Sequence, residues 1–478
     1  MNRSFAIVLL PLCIAGCSLA PSYKRPPSTA PIPASFKEAP GWRTAAPSDA
    51  VARGAWWTMF NDPVLDDLER RVLVSNQNLA AAKATYDQAR AVVREQRAAL
   101  LPTIDLSASG TKAGSFGGGM PTVGSGSGAV SSGGSRRYAI SIGANWEPDV
   151  WGRIGNAVSQ ARAQAEASRA DLATATLSAQ GELALNYIQL RGIEAQKAIL
   201  GDTIVAYDRA LTITGNRYNS GVVARSDVLQ AETALRNARA SAADLDRQRA
   251  VLEHAIAVLA GENPSTFSVP AAQWNRIVPD VPAVLPSALL ERRPDIASAE
   301  RQVAAANAAI GIERAAFFPT LGLTGSTGFN AKGLGALFDA ASSVWSLGLT
   351  GALTLLDFGA RSAQVDQARA AHAQTVANYR QTVLTAFQDV EDQLAATRVL
   401  ATVSTERVGA AAAANQAEQI ARNQYLSGII GYSDVIVAQT TALSARQAEV
   451  QAIVDRQTTA VSLIQAIGGN WTDTPPAR

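Results

Sequence analysis

The sequence predicts a mainly α fold with a small β part: long antiparallel helical hairpins joined to four short strands per chain. Three observations lead there. The chain of 478 residues repeats itself at a fixed offset, contains two long stretches without proline, and carries four brief segments that alternate apolar and small polar residues. Apolar residues make up 47% and aromatics only 6%, so burial relies on Ala and Leu instead of large rings, which suits helices in close contact. Lys and Arg number 42 against 40 Asp and Glu, a formal charge of +2 that removes the electrostatic case for nucleic acid. Two His and two Cys give little material for metal clusters, catalytic dyads or disulfides. An enzyme is the weaker expectation, and no cofactor or metal is expected.

The elements follow in chain order. Arg3 and the apolar run Phe5 to Ile14 have the form of an export signal, too short to span a bilayer. The run ends in Ile14-Ala15-Gly16-Cys17, which resembles the lipobox of bacterial lipoproteins. That resemblance implies cleavage after residue 16 and a lipid on Cys17, with Ser18 compatible with sorting to the outer membrane. Two or three acyl chains would anchor stably where one is marginal. An ordinary secretory signal with an incidental cysteine is the alternative. A Pro-rich segment over 17–61 then acts as a lipid-anchored tether.

The duplication organises the rest. Val158-Ser159-Gln160-Ala161-Arg162-Ala163 recurs as Val365-Asp366-Gln367-Ala368-Arg369-Ala370, an offset of 207. The same offset carries Tyr218, Ser220 and Gly221 to Tyr425, Ser427 and Gly428, and Gly261 to Gly468. Upstream, Leu100-Leu101-Pro102-Thr103 matches Phe317-Phe318-Pro319-Thr320 at an offset of 217, the difference lying in a Gly/Ser-rich tract read as an external loop. The repeats are placed at 62–261 and 294–468, with a linker over 262–293 and a tail over 469–478. No proline occurs between Pro148 and Pro264 or between Pro319 and Pro475, as helix interiors require. Gly152 to Asn216 reads as one rod of roughly 100 Å. A heptad seam runs through Leu172, Ala179, Ile193, Leu200 and Tyr207, with Leu183, Leu190, Ile204 and Leu211 at the second position.

The period-two segments fall in two hairpins, at about 103–147 and about 320–355. Tyr138, Ile140, Ile142, Ala144 and Trp146 alternate with Ala139, Ser141, Gly143 and Asn145; Trp345, Leu347, Leu349, Leu353 and Leu355 alternate with Ser346, Gly348, Thr350, Ala352 and Thr354. An apolar face with aromatics near its ends, set against a small polar face, is the pattern of transmembrane strands. A soluble antiparallel sheet packed on the helices has the same period. Under the membrane reading four strands are too few to close, so each chain must lend its strands to a shared barrel; small residues on the polar face favour three chains and twelve strands.

The chain resembles the TolC/OprM class of outer-membrane efflux channels, in particular its lipid-anchored NodT-like branch. The resemblance rests on Cys17 with Pro21-Ser22-Tyr23-Lys24-Arg25-Pro26, on Trp57-x-x-Phe60-Asn61-Asp62-Pro63-x-Leu65, and on Leu285-Pro286-Ser287-x-Leu289-Leu290-x-Arg292-Arg293-Pro294-Asp295-Ile296 leading to Ala299-Glu300. It implies a homotrimer in the outer membrane of a Gram-negative bacterium. Twelve strands would form a β-barrel in lipid and the helices an α-barrel through the periplasm. The function implied is a passive exit duct for small molecules, engaged by a periplasmic adaptor and an inner-membrane pump. No Walker-type phosphate loop is present to supply energy.

The glycine turns at the helix tips are the candidate gate. Gly221 and Gly428 suit a turn needing positive φ, and Ser226, Asp227, Ser433 and Asp434 are suited to capping the returning helices. The resemblance adds that the tips close the periplasmic entrance. It implies a ring of Asp434 carboxylates, with Val437 three residues on where relatives often carry the constricting acid, and a Tyr425–Asp227 hydrogen bond between adjacent tips; Tyr218 is the repeat counterpart of Tyr425. His254 and His372 read as helix-surface or interface residues. Two rival functions stand beside the efflux duct: a lipid-anchored periplasmic scaffold without a pore, and a duct for secreted polypeptides.

Overall fold

The computed structural model describes residues 18–27, 36–38, 54–113, 135–279 and 293–469. The leader over 1–16, Cys17, the Gly/Ser-rich tract over 114–134, the Leu285-to-Arg292 part of the linker motif and the tail from 470 lie outside them. Two compact units emerge, and each draws on both repeats. One takes in Asp87–Glu166 and Glu300–Ala377 with the N-terminal residues to Pro26; the other takes in Pro27–Tyr86, Ala167–Ala299 and Asn378–Arg478.

The duplication is exact in the length of three paired helices. Helix α2 (Gln77–Ala98) and α5 (Pro294–Ala315) have 22 residues each, α3 (Arg153–Asn219) and α6 (Ala360–Leu426) 67 each, and α4 (Arg225–Leu259) and α7 (Tyr432–Ala466) 35 each. At 1.5 Å per residue α3 and α6 are each about 100 Å long. Both α2 and α5 stop before their Pro102 and Pro319, because proline cannot extend the ladder and biases the residue before it away from helix.

In the first unit, strands β1 (Thr103–Ala113), β2 (Ser135–Trp146), β3 (Thr320–Ala331) and β4 (Ser343–Ala352) form one antiparallel sheet in the order β1-β2-β3-β4. Leu353 and Leu355, expected in the last strand, lie beyond it. The ladder ends at Thr320 opposite Ala352, since Pro319 has no N–H with which to continue it. Asp149 turns the chain from strand to helix by accepting from the N–H groups of Ile154 (2.9 Å) and Gly155 (2.6 Å). The N-terminal residues lie along α5: Arg314 donates to the Leu19 carbonyl (3.3 Å), Asn307 to that of Pro21 (2.8 Å), and the Tyr23 hydroxyl bonds Glu300. A Cβ at Gly311 would stand 2.7 Å from that of Ala20, so only glycine admits the strap this closely.

The second unit packs α1 (Pro63–Ser75), α3, α4 and α7 around Trp56, Leu65, Leu68, Leu183, Leu190, Ile256 and Val461. Asp62 caps α1 through the N–H groups of Val64 (2.9 Å) and Leu65 (3.2 Å), with Pro63 at the first position. The single helix expected at the start of the first repeat is divided at Asn76. Its amide donates to the Leu259 carbonyl (2.8 Å) and its carbonyl oxygen accepts from Leu79 N–H (3.1 Å), so one buried side chain serves two helices. The seam residues Ala179, Leu183, Leu190, Leu200 and Tyr207 are buried, while Leu172, Ile193, Ile204 and Leu211 are only half-buried. Close approach is provided by Gly192, where an added Cβ would stand 2.4 Å from Val454.

A polar chain crosses this core. The Tyr187 hydroxyl donates to Asp62 (2.8 Å) and accepts from Arg191 (3.0 Å), and Arg191 also reaches Glu194 (2.7 Å) and the Pro270 carbonyl (2.8 Å). Arg191 is fully buried, and these bonds compensate its desolvation. Arg293 similarly joins Asp295 and Asp389 and donates to the Ala466 carbonyl (3.0 Å) at the end of α7.

Glu69 has no such compensation. It is fully buried, both carboxyl oxygens lack a hydrogen-bond partner among the described residues, and burial, with a smaller push from Asp66, raises its pKa to about 9. In the unfolded chain the group ionises near 4.5, so its cost to stability is absent below that pH and grows as the pH rises toward 9. Glu69→Met is expected to stabilise the protein by on the order of 1–3 kcal/mol at about pH 8 and by less at about pH 4, read from thermal midpoints. An equal gain at both pH values would show that the carboxyl is not held neutral.

Candidate functional site

The sheet register sorts side chains into two faces. On one, Ile104 stands opposite Ala144, Leu106 opposite Ile142 and Ala108 opposite Ile140; the row continues through Ile140 with Phe329, Trp146 with Leu323, Leu323 with Leu349 and Thr327 with Trp345. This face is bare: Trp345 is 80% exposed, and Ile104, Leu106, Leu347 and Leu349 are comparably open. A soluble sheet packed on helices would bury these residues, and an apolar surface of this extent marks contact with a partner or lipid. On the opposite face the hydroxyls of Ser107 and Ser141, and of Ser326 and Ser346, bond each other at 2.8 Å, beside Asp105, Asn145, Thr324 and Thr350. Aromatic residues mark both ends. At the helix end Trp146 donates to the Leu100 carbonyl (3.0 Å) and Trp151 stacks on Phe318 at 4.8 Å; at the hairpin end Phe329 meets Phe338 at 5.5 Å. The outer edges of β1 and β4 have no partner strand among the described residues. Among the described residues no helix is long and apolar enough to cross a membrane.

The two helix tips share one backbone device. Gly221 N–H bonds the Tyr218 carbonyl (2.9 Å) and Val222 N–H that of Arg217 (2.9 Å); Gly428 and Ile429 repeat this with Tyr425 (3.0 Å) and Gln424 (2.9 Å). Each glycine has φ +75, which completes a Schellman turn. The capping role expected of the serines and aspartates is not observed. Helices α4 and α7 begin at Arg225 and Tyr432, their N-caps are Ala224 and Gly431, and neither cap makes a side-chain bond. Asp227 and Asp434 instead lie in the first turn, where a carboxylate interacts favourably with the helix dipole. Asp434 and Val437 are both exposed, one turn apart on α7.

The repeat-related tyrosines differ. Tyr425 is 6% exposed and Tyr218 42%. The Tyr425 ring lies 5.3 Å from that of Tyr432, with the Arg217 guanidinium 4.6 Å from its centre, and Arg217 donates to the Tyr425 carbonyl (3.3 Å). One repeat earlier, Tyr432 is replaced by Arg225, so Tyr218 has no ring to pack on. Arg217 and Tyr432 escaped the sequence reading, although this mismatch between the copies was the available signal. The hydroxyls of Tyr425 and Tyr432 are buried without hydrogen-bond partners among the described residues, so Tyr425 and Asp227 do not bond within the chain. Burial, helped by Tyr425, Tyr207 and Asp227, pushes the Tyr432 phenol up to about 12. Beside the tip a groove of about 580 Å³ is lined by Leu200, Tyr207, Leu229, Ile436 and Leu443. His254 is exposed and His372 half-buried, and no cluster of metal-ligating side chains occurs among the described residues.

A model of the outer membrane efflux protein family matches residues 68–262 and 285–469. The toluene efflux pump outer membrane protein TtgC of Pseudomonas putida is 31% identical over 479 residues, covering 98% of this chain and 96% of the relative. The cation efflux system protein CusC of Escherichia coli is 29% identical over 473 residues, covering 97% of this chain and 98% of the relative. Among solved structures, the outer-membrane channel OprN aligns with a TM-score of 0.84 at 28% identity, over 95% of this chain and 100% of that one.

Two pairs of substitutions test the site geometry. Leu347→Arg is expected to weaken barrel assembly by about 2–4 kcal/mol, and Ser346→Arg on the opposite face by far less, when assembled protein is quantified in detergent. Equal losses would mean that the two faces do not meet different media. Gly428→Ala is expected to cost about 1 kcal/mol in thermal stability and Gly428→Asn less, because Asn tolerates positive φ; an indifferent response to both would remove the turn's backbone requirement.

Proposed function

Because the chain belongs to the outer membrane efflux protein family, we propose that it is the outer-membrane exit duct of a tripartite efflux system, passing small molecules outward as a homotrimer. The observation that carries this is the bare apolar sheet face combined with two unpaired edges. In hydrocarbon those edges must be satisfied, and joining β4 of one copy to β1 of the next closes a twelve-stranded barrel with its hydroxyl face inward. A pore-free scaffold gives no reason for this surface.

The lipid on Cys17 supplements the barrel. Leu19, Pro21 and Tyr23 are tied to α5 and Ser18 donates to Asn156 on α3, so an acyl anchor one residue before Ser18 would be carried on a fastened strap instead of a free tail. At the other end of the helices the tips form the entrance. Three Asp434 carboxylates around the axis would favour cations and oppose full closure by mutual repulsion, with Val437 one turn behind as an apolar constriction. Tyr425 is held in place by Tyr432 and Arg217, and a neighbouring copy's Asp227 would supply the partner that its hydroxyl lacks. Exposed Val222 and Ile429 offer apolar contacts to a periplasmic adaptor, through which an inner-membrane pump would supply energy. Relatives of similar identity are named for toluene and for cation efflux, which supports a duct whose cargo is chosen by the pump.

Planar bilayers test this reading. Purified protein is expected to give discrete conductance steps, Asp434→Asn to lower the preference for cations, and Tyr425→Phe combined with Asp227→Ala to enlarge the steps. Absence of conductance would overturn the duct, and unchanged steps and selectivity in both variants would take the tips out of the gate.

A further inference from the structure

The hairpin end of the sheet carries cations that neither the duct nor the gate uses. Along the apolar face, the β1–β2 rungs run Ile104 with Ala144, Leu106 with Ile142, Ala108 with Ile140, Gly110 with Tyr138, and finally Lys112 with Arg136. The Tyr138 ring lies over Gly110, 3.3 Å from where a Cβ would stand, which confirms that the rung shares one face. Lys112 and Arg136 are exposed, and no hydrogen bond or ion pair engages either among the described residues. Two like charges directly opposite one another across a ladder repel, so the rung is unfavourable unless an anion bridges it. Arg137 is also at this end but falls on the hydroxyl face, and Lys332 lies beyond the end of β3.

The height of the rung fixes what meets it. Eight residues separate Ile104 from Lys112, about 27 Å of strand, which a tilt near 40° reduces to about 20 Å along the membrane normal. That nearly spans the apolar band of about 25 Å. Tyr138, one rung below, is the aromatic residue expected at the edge of that band. The cations therefore stand at headgroup level, on the lipid side of the wall, at the end remote from the helices and so in the outer leaflet.

We propose that Lys112 and Arg136 form a binding site for the phosphate groups of outer-leaflet lipid A, one site per chain. Continuity with the apolar face makes the occupant a lipid and not a solute in the duct, and the opposed pair of cations matches a doubly charged phosphate better than a singly charged headgroup. The proposal rests on the outer-membrane placement of the sheet but not on efflux: a protein that conducts and fails to retain lipid A would lose this proposal alone.

The test uses the purified full-length protein, mixed in detergent with bis-phosphorylated lipid A, with the lipid retained through size-exclusion chromatography counted by mass spectrometry. Lys112→Gln combined with Arg136→Gln is expected to reduce retention roughly thirtyfold, the effect of removing two cations from an anionic lipid surface. Arg137→Gln, on the other face, is expected to retain lipid A normally. Should the double variant not assemble, the wild-type protein still decides, since it is expected to retain dephosphorylated lipid A roughly thirtyfold less well, and phosphatidylglycerol less well too. Undiminished retention by the double variant, or wild-type retention of dephosphorylated lipid A or phosphatidylglycerol equal to that of bis-phosphorylated lipid A, would overturn the assignment.

Discussion

No backbone N–H or C=O group can be left unpaired in hydrocarbon, and this constraint explains more of the chain than any other. Its four strands pair internally at three ladders and leave one side of β1 and one side of β4 open. A soluble protein would shield such edges with charge, proline or a covering helix. Here the edge strands β1 and β4 instead carry Ile104, Leu106, Leu347 and Leu349 outward. The sheet is thus an arc to be completed by copies of itself. Duplication makes this economical, because two equivalent hairpins already pair through β2 and β3 in the same antiparallel manner by which one chain must meet the next.

The same incompleteness extends to the helices, and the two copies have drifted apart to accommodate it. Gly192 in α3 lets α7 approach, whereas its repeat counterpart in α6 is Val399, half exposed. Leu384, Val408 and Ile420 on α6 are open in the same way. A long helix that leaves large aliphatic side chains unburied lacks part of its stabilisation, since helices of this composition depend on packing more than on propensity. At the tip the divergence is reversed: the second copy has Tyr432 and buries Tyr425, and the first has Arg225 and leaves Tyr218 open. Equal lengths preserve the scaffold, and unequal side chains distinguish its two hairpins.

Much of this fold was legible in the sequence because it depends on local rules. Absence of proline marked the long helices to within a few residues, period two marked all four strands, and the glycines at 221 and 428 marked turns that require positive φ. What escaped depends on partners distant in sequence. Glu69 and Arg191 look like ordinary solvent-facing charges, yet both are fully buried, Arg191 against the carbonyl of distant Pro270. Asn76 breaks a helix only because Leu259 offers it a carbonyl. The serines after each tip looked like caps, but the helices begin two residues too early for their hydroxyls to reach the orphan N–H groups. Leu353 and Leu355 keep the strand alternation after the ladder has lost its donor.

The chemistry of the polar sheet face bears on where selection can reside. Ser107 with Ser141, and Ser326 with Ser346, satisfy each other, so their hydroxyls offer weak, exchangeable contacts and no desolvated pocket. Fixed charge on this face is confined to its ends, with Asp105 near the helices and Arg137 near the hairpins. A passage lined in this way can bias ions by sign, but it cannot distinguish solutes by shape, because shape discrimination needs buried groups that are left unpaired by the wrong occupant. Discrimination by this chain therefore has to act through opening and closing, at an element with two arrangements. The tip proposed as the gate, with its positive-φ glycines, buried unpaired phenols and exposed carboxylates, is the part of the described chain whose chemistry suits that role.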